Sequence, residues 1–210
     1  MKQRAWMPFL ILSTCVLAAR ADPVCEVLAV RGEAYAGQQA LRLGQHLDVG
    51  TEVHTGADGR VRLRFVDGSV LVVADHSTLK IKRFELESGG TRHASFLLDL
   101  GLIGQTVQPQ AGGSWEVRTP TAVTAVRGTE FMVEVGANLA TAVNVQSGEV
   151  SVDTVGQGGK GGATRGLSAK LPVVLSASHQ GTDCNADYGC TPAATWSPSR
   201  IESAQGRLSF

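Results

Sequence analysis

The stretch GRVRLRFVDGSVLVVA, residues 59–74, decides the fold. Val61, Leu63 and Phe65 alternate with Arg60, Arg62 and Arg64. In an extended chain successive side chains point to opposite faces, so the apolar set lines one face and three guanidinium groups the other. Asp67-Gly68 follows, a pair that tolerates positive φ, and a second apolar run begins at Ser69. The stretch predicts a half-buried β-hairpin closed by a two-residue turn.

The same pattern recurs along the chain. Phe131, Val133 and Val135 alternate with Met132 and Glu134, and Val143 and Val145 lead through Ser147-Gly148 to Val150 and Val152. Weaker strand candidates lie at 27–31, 79–82, 95–100, 115–118 and 171–176, punctuated by Gly, Asp, Asn and Ser at intervals of about ten residues. No segment shows helical periodicity of comparable strength. The expected fold is all-β: a sandwich, or a β-roll or solenoid-like stack, of about ten short strands joined by Gly, Asp and Asn turns.

Composition narrows the function. The chain has 210 residues, 19 basic and 19 acidic side chains, 43% hydrophobic residues, 5% aromatics and 25 glycines. Nucleic-acid binding through counterion release needs a dense basic patch, which a neutral chain with 18% charged residues does not supply. The hydrophobic content is that of a chain with a packed core.

Residues 1–21, MKQRAWMPFLILSTCVLAARA, have a basic start at Lys2 and Arg4, an apolar run, and small residues at Ala19 and Ala21. This is the pattern of a secretory signal peptide cleaved after Ala21. The apolar run, broken by Pro8, is shorter than the roughly 20 residues that span a bilayer. Cleavage would leave 16 basic against 19 acidic side chains and no transmembrane segment. The expected location is the periplasm, with secretion as the alternative. The domain plan has a β domain at 22–178, interrupted by the Gly-rich loop GQGGKGG at 156–162, and a Cys-containing C-terminal appendage at 179–210.

Three cysteines follow the leader. Cys184 and Cys190 enclose the turn-forming insert Asn-Ala-Asp-Tyr-Gly, which favours their pairing and leaves Cys25 free; a bond from Cys25 to either late cysteine is the alternative. The oxidising compartment that the leader implies permits such bonds.

No catalytic, cofactor-binding or metal-ligating set stands out. His46, His54, His76, His93 and His179 show no paired ligand spacing, and Gly161 stands where a phosphate-binding loop needs a hydroxyl after Lys160. Asp75-His76 falls in a turn context, and no nucleophile elbow is present. Asp183, Asn185 and Asp187 alternate as in a calcium loop, but Gly189 comes one position late and no closing glutamate follows. Leu208 and Phe210 have the alternation of a terminal barrel strand, without the aromatic content that membrane barrels carry. Neither enzymatic activity nor a cofactor or metal is expected. Arg60, Arg62 and Arg64 form the one possible contact face for an anion or glycan.

Four segments carry a resemblance: VGTEVHTGADGRVRLRFVDGSVLVV (49–73), LKIKRFEL (79–86), WEVRTPTAVTAVRGTEFMVEV (115–135) and TAVNVQSGEVSV (141–152). Together, from about 47 to 153, they resemble the FecR-like domain of bacterial envelope proteins. The motif residues Trp115, Pro120, Gly128, Thr129, Phe131 and Gly148 suit a scaffold: glycines where strands end, a proline that bars helix, and two large core groups. The resemblance implies a periplasmic β domain that receives a signal from an outer-membrane siderophore transporter and passes it through one membrane span to an anti-sigma segment. A leader stands here in place of the cytoplasmic segment and span. The expected function is therefore a non-catalytic, stand-alone interaction or signalling module that binds another envelope or outer-membrane protein. The alternative is a secreted or surface carbohydrate-binding or adhesive protein.

Overall fold

A computed structural model describes residues 22–155 and 171–210. The leader (1–21) and the Gly-rich loop (156–162) lie outside the described residues. The described chain is built of strands and one helix, α1 (Pro198–Leu208). The strands form one continuous mixed sheet that folds into two layers.

The first layer runs, in spatial order, β4 (His46–Leu47), β1 (Cys25–Arg31), β6 (Arg60–Phe65), β7 (Val70–Val73), the second half of β9 (Arg92–Thr106), β12 (Glu130–Val135), β13 (Thr141–Ser147) and β16 (Gln180–Asn185). Strands β17 (Gly189–Cys190) and β18 (Ala194–Thr195) pair with β16. The second layer runs β3 (Gln39–Ala40), β2 (Ala34–Ala36), β5 (Glu52–Thr55), β8 (Thr78–Leu86), the first half of β9, β10 (Gly113–Arg118), β11 (Ala122–Val126), β14 (Val150–Thr154) and β15 (Val173–Leu175).

Strand β9 belongs to both layers. Residues 92–100 pair with β8, and residues 101–106 pair with β7 and β12. The crossing falls at Gly101, whose φ is +93° and whose ideal Cβ would lie 2.2 Å from Ser77 Oγ. Only glycine fits there. Ser77 Oγ accepts a hydrogen bond from the Leu102 backbone N–H at 3.0 Å, which ties the crossing down. Because β9 leaves the second layer, the chain can return as β10 parallel to the first half of β9, the one parallel pairing described. The second half of β9 and residues 107–112 serve as the crossover that parallel neighbours require.

The inner faces meet on an apolar core. Val61, Leu63 and Phe65 are buried on the alternating face of β6, with Leu71 and Val73 beside them. Phe65 of the first layer stacks on Phe84 at 5.0 Å between centroids and meets Phe96 and Trp115 of the second layer edge-on at 5.3 and 5.5 Å. The few aromatics of the chain are concentrated here, where offset and edge-on pairs add to burial.

Four features differ from the sequence reading. The hairpin loop has three residues, Val66-Asp67-Gly68: Phe65 N–H donates to Ser69 O (2.9 Å) and Gly68, at φ +85°, donates to Phe65 O. This is the three-residue form in which glycine takes the left-handed position. Strands number eighteen among the described residues against about ten expected, because six are only two or three residues long, too short to show alternation. Residues 180–195, set off in sequence as part of an appendage, extend the first layer through β16–β18. Helix α1 had no sequence counterpart.

Candidate interaction surface

The six motif residues sit in the scaffold. Trp115 and Phe131 are buried in the core. Gly128 (φ +61°) abuts Pro109, and a Cβ on Gly148 (φ +86°) would stand 2.9 Å from Gly128 O. Thr129 Oγ1 donates to Glu149 O at 3.0 Å, so the turns after β11 and β13 lock together. Pro120 is exposed between two buried threonines. Thr119 and Thr121 each share a hydroxyl hydrogen bond of 2.7 Å with Thr141.

A polar knot lies beneath the aromatic cluster. The Asp67 and Arg92 side chains, 0% and 3% exposed, form an ion pair. Ser69 Oγ donates to Asp67 Oδ2 at 2.7 Å and accepts from the Gln108 N–H at 3.0 Å. The Arg92 guanidinium stands 4.9 Å above the Trp115 ring. A buried charge pair is costly wherever a hydrogen-bonding group stays unoccupied, and here Arg92 Nε is buried without a hydrogen-bond partner among the described residues. No sequence motif marks Arg92; its inward position in the alternation with Ala94, Phe96 and Leu98 is the one sequence signal of its burial.

Helix α1 covers part of the outer face of the first layer. Ser197 caps it by accepting from Arg200 N–H at 3.3 Å, and Pro198 occupies the first turn. Ile201, Ala204 and Leu208 recur at helical spacing. Ala204 and Leu208 pack with Ala74, Leu102 and Met132 in a cluster separate from the main core. Two glycines act as seats: an ideal Cβ on Gly104 would lie 2.7 Å from Leu208 Cδ1, and one on Gly181 would lie 2.2 Å from Trp196 Nε1. Charge fixes both ends. Arg200 grips Asp183 with two hydrogen bonds (3.0 and 2.5 Å), and Arg207 reaches Asp75 (3.0 Å) and Glu134 (2.5 Å).

Arg60, Arg62 and Arg64 project from this same outer face. Arg60 Nε donates to Arg207 O, Arg62 lies 4.6 Å from the Phe210 ring centroid, and Arg64 pairs with Glu26 at 2.8 Å. Beside the end of α1, a groove of about 370 Å³ is lined by Arg62, Val70, Val72, Glu130, Gln146 and Leu208, among others. Its walls combine apolar surface with a cation, an anion and an amide, the mixture that protein and peptide partners meet at interfaces.

The remaining candidates are occupied locally. Cys184 and Cys190 are joined by a disulfide, and Cys25 is a buried free thiol. Burial, with a smaller contribution from the negative charge of Asp48, pushes the Cys25 thiol up to about 12. In the calcium-like loop, Asn185 Oδ1 accepts the backbone N–H groups of Asp187 and Tyr188, and Asp183 is held by Arg200. Among the described residues no three His, Cys, Asp or Glu side chains form a metal-binding group. No described helix is long and apolar enough to cross a membrane.

Comparison with known proteins places this geometry. Residues 51–151 match the family described as FecR protein. No curated protein matches the chain. Two crystal structures, each described as a candidate anti-sigma factor from Parabacteroides distasonis, are similar at 18% identity, with TM-scores of 0.53 and 0.55. Each comparison covers 73% of this chain and 63% of that one, so the chain spans less than two thirds of the structures it resembles. At this identity the likeness is one of fold. The Asp67–Arg92 knot, the β9 crossing and the apolar floor under α1 all fall within residues 51–151, the segment that matches the FecR protein family.

Proposed function

We propose that the protein is a non-catalytic interaction module of envelope signalling, acting in the periplasm, and that its partner-binding surface is the outer face of the first layer around the groove beside α1. The groove carries the reading: it is lined by Arg62, Val70, Val72 and Glu130 of the FecR segment and combines apolar walls with opposite charges. FecR membership favours a signalling role, and the disulfide suits an oxidising compartment. The carbohydrate-binding alternative draws on Arg60, Arg62 and Arg64, whose guanidinium groups already have partners within the chain, which favours the protein-binding reading.

The test is site-specific photocrosslinking in intact cells. A photoreactive residue at Gln146, on the groove, should give a defined crosslink to one envelope protein. The same group at Ser95, on the outer face of the second layer, should not. No crosslink at Gln146, or an identical pattern at both positions, would overturn the assignment.

A further inference from the structure

The surface beneath the C-terminal half of α1 is made almost entirely by the FecR segment. Ala74, Leu102, Gly104 and Met132 form the apolar floor, and Asp75 and Glu134 form an acidic rim. The helix itself lies outside that segment. It contributes little apolar surface, with Ile201 and Ala204 buried and Leu208 partly so. An isolated helix of 11 residues is marginal in water, so α1 is helical because it is docked. The floor is also a cluster of its own, separate from the main core between the layers.

These observations describe a recognition event carried out within one chain. We propose that the outer face of the first layer is a helix-binding site, held closed by α1 and open to a partner's amphipathic helix of matching pattern. The matching helix places a leucine in the Gly104 seat, a small residue four positions earlier against Leu102 and Met132, and an arginine next to the leucine between Asp75 and Glu134. The acidic rim selects a basic helix over an acidic one. This inference rests on the reading of the domain as an interaction module and adds the class of partner and its regulation.

Tethering sets the terms of exchange. A segment linked to its site has an effective concentration on the order of millimolar, so a free helix making the same contacts loses to α1. A partner displaces α1 by making additional contacts, and the groove beyond Leu208, with Arg62, Glu130 and Gln146, offers them. The closed state therefore screens out weak helices, and a longer one that fills the groove opens it.

The experiment uses the full chain and a fluorescein-labelled synthetic peptide with the sequence of residues 194–210. Three proteins are compared by fluorescence anisotropy: wild type, R207E/L208D, which unseats the helix and leaves the floor intact, and R207E/L208D with G104V, which fills the leucine seat. The double variant should bind the peptide at least about tenfold more tightly than wild type, because the tethered competitor is gone. Adding G104V should abolish that gain. Equal affinity across the three proteins, or binding that survives G104V, would overturn the proposal.

Hydrogen exchange on the wild-type chain gives a second reading that needs no variant. Amides of α1 should exchange about 100-fold faster than those of β12, as expected for a segment that opens on its own. Equal protection would mean that α1 leaves its seat only on global unfolding and would also overturn the proposal. Both measurements are independent of any envelope protein: failure to crosslink at Gln146 counts against the signalling reading, and failure of the peptide counts against the helix site.

Discussion

Trp115 Nε1 donates a hydrogen bond of 2.6 Å to Gln105 Oε1, joining the second layer to the first through the middle of the core. Both residues are buried, and the Gln105 Nε2 group has no hydrogen-bond partner among the described residues. Replacing Gln105 by methionine leaves the indole N–H buried without an acceptor and should cost about 1–3 kcal/mol. In W115F the loss includes packing, but Q105M added to W115F should cost less than Q105M alone. Urea unfolding of the four proteins in the cycle measures this, and strict additivity would contradict the direct bond.

The Asp67–Arg92 pair should be far more sensitive than any surface pair. D67N removes the anion and leaves the guanidinium enclosed by Trp115, Ser69 and the Gln108 carbonyl. Loss of one member of a buried pair costs about 3–5 kcal/mol. D67N with R92M should be more stable than D67N alone, because no buried charge remains. By contrast, breaking the solvent-exposed Arg83–Glu85 pair should leave the unfolding midpoint nearly unchanged, because water screens it.

Gly101 and Gly44 separate two costs of substitution. Both have positive φ, +93° and +76°, but a Cβ on Gly44 meets nothing within 4 Å, whereas one on Gly101 collides with Ser77. G44A should lose about 1 kcal/mol, the backbone cost alone. G101A should lose about 3 kcal/mol or more, because it also forces β9 and Ser77 apart. Thermal melts of the two variants test the difference, and equal losses would show that the crossing at Gly101 relaxes freely.

Cys25 gives the protein an alkaline liability. Its thiol titrates near 9 when unfolded and near 12 when folded, mainly because of burial and secondarily because of Asp48. Between these values the unfolded chain has lost a proton that the folded chain keeps. The contribution is thus complete below pH 9 and disappears as pH rises toward 12, with a slope of up to about 1.4 kcal/mol per pH unit. Denaturant midpoints measured from pH 8 to 11 should fall more steeply for wild type than for C25A. At pH 8 the folded thiol should resist a thiol reagent until the protein unfolds.

What the sequence revealed follows from local physics. The 60–65 alternation is legible because one face is buried and the other is not, and it fixes which arginines point outward. It says nothing about α1 and the residues that follow it, where Arg207 and Phe210 meet Arg60 and Arg62 from almost 150 residues away. In the sequence, strand β9 reads as a six-residue element because Gly101 and Gly104 look like punctuation. In the structure they are interior positions, one for a change of layer and one to admit Leu208. The helix is faint in the sequence because only Ile201, Ala204 and Leu208 mark its apolar stripe; Ser197-Pro198, a cap followed by a first-turn proline, is its local signal. The FecR motif residues were legible as scaffold. The surface that the scaffold presents was not, since it is assembled from β6, β7, β9, β12, β13 and a helix at the far end of the chain.

The double membership of β9 also constrains how the chain acquires its structure. Its two halves need partners from residue 70 to residue 135, on both sides in sequence, and its second half stays an unpaired edge until β12 arrives. A growing chain can close the β6–β7 hairpin early, but β9 gains its full pairing in the second layer only with β10, at residue 118, and in the first only with β12, at residue 135. Such a non-local topology belongs to the slow-folding class. Until then, the exposed edge of β9 is the segment that most needs shielding from aggregation.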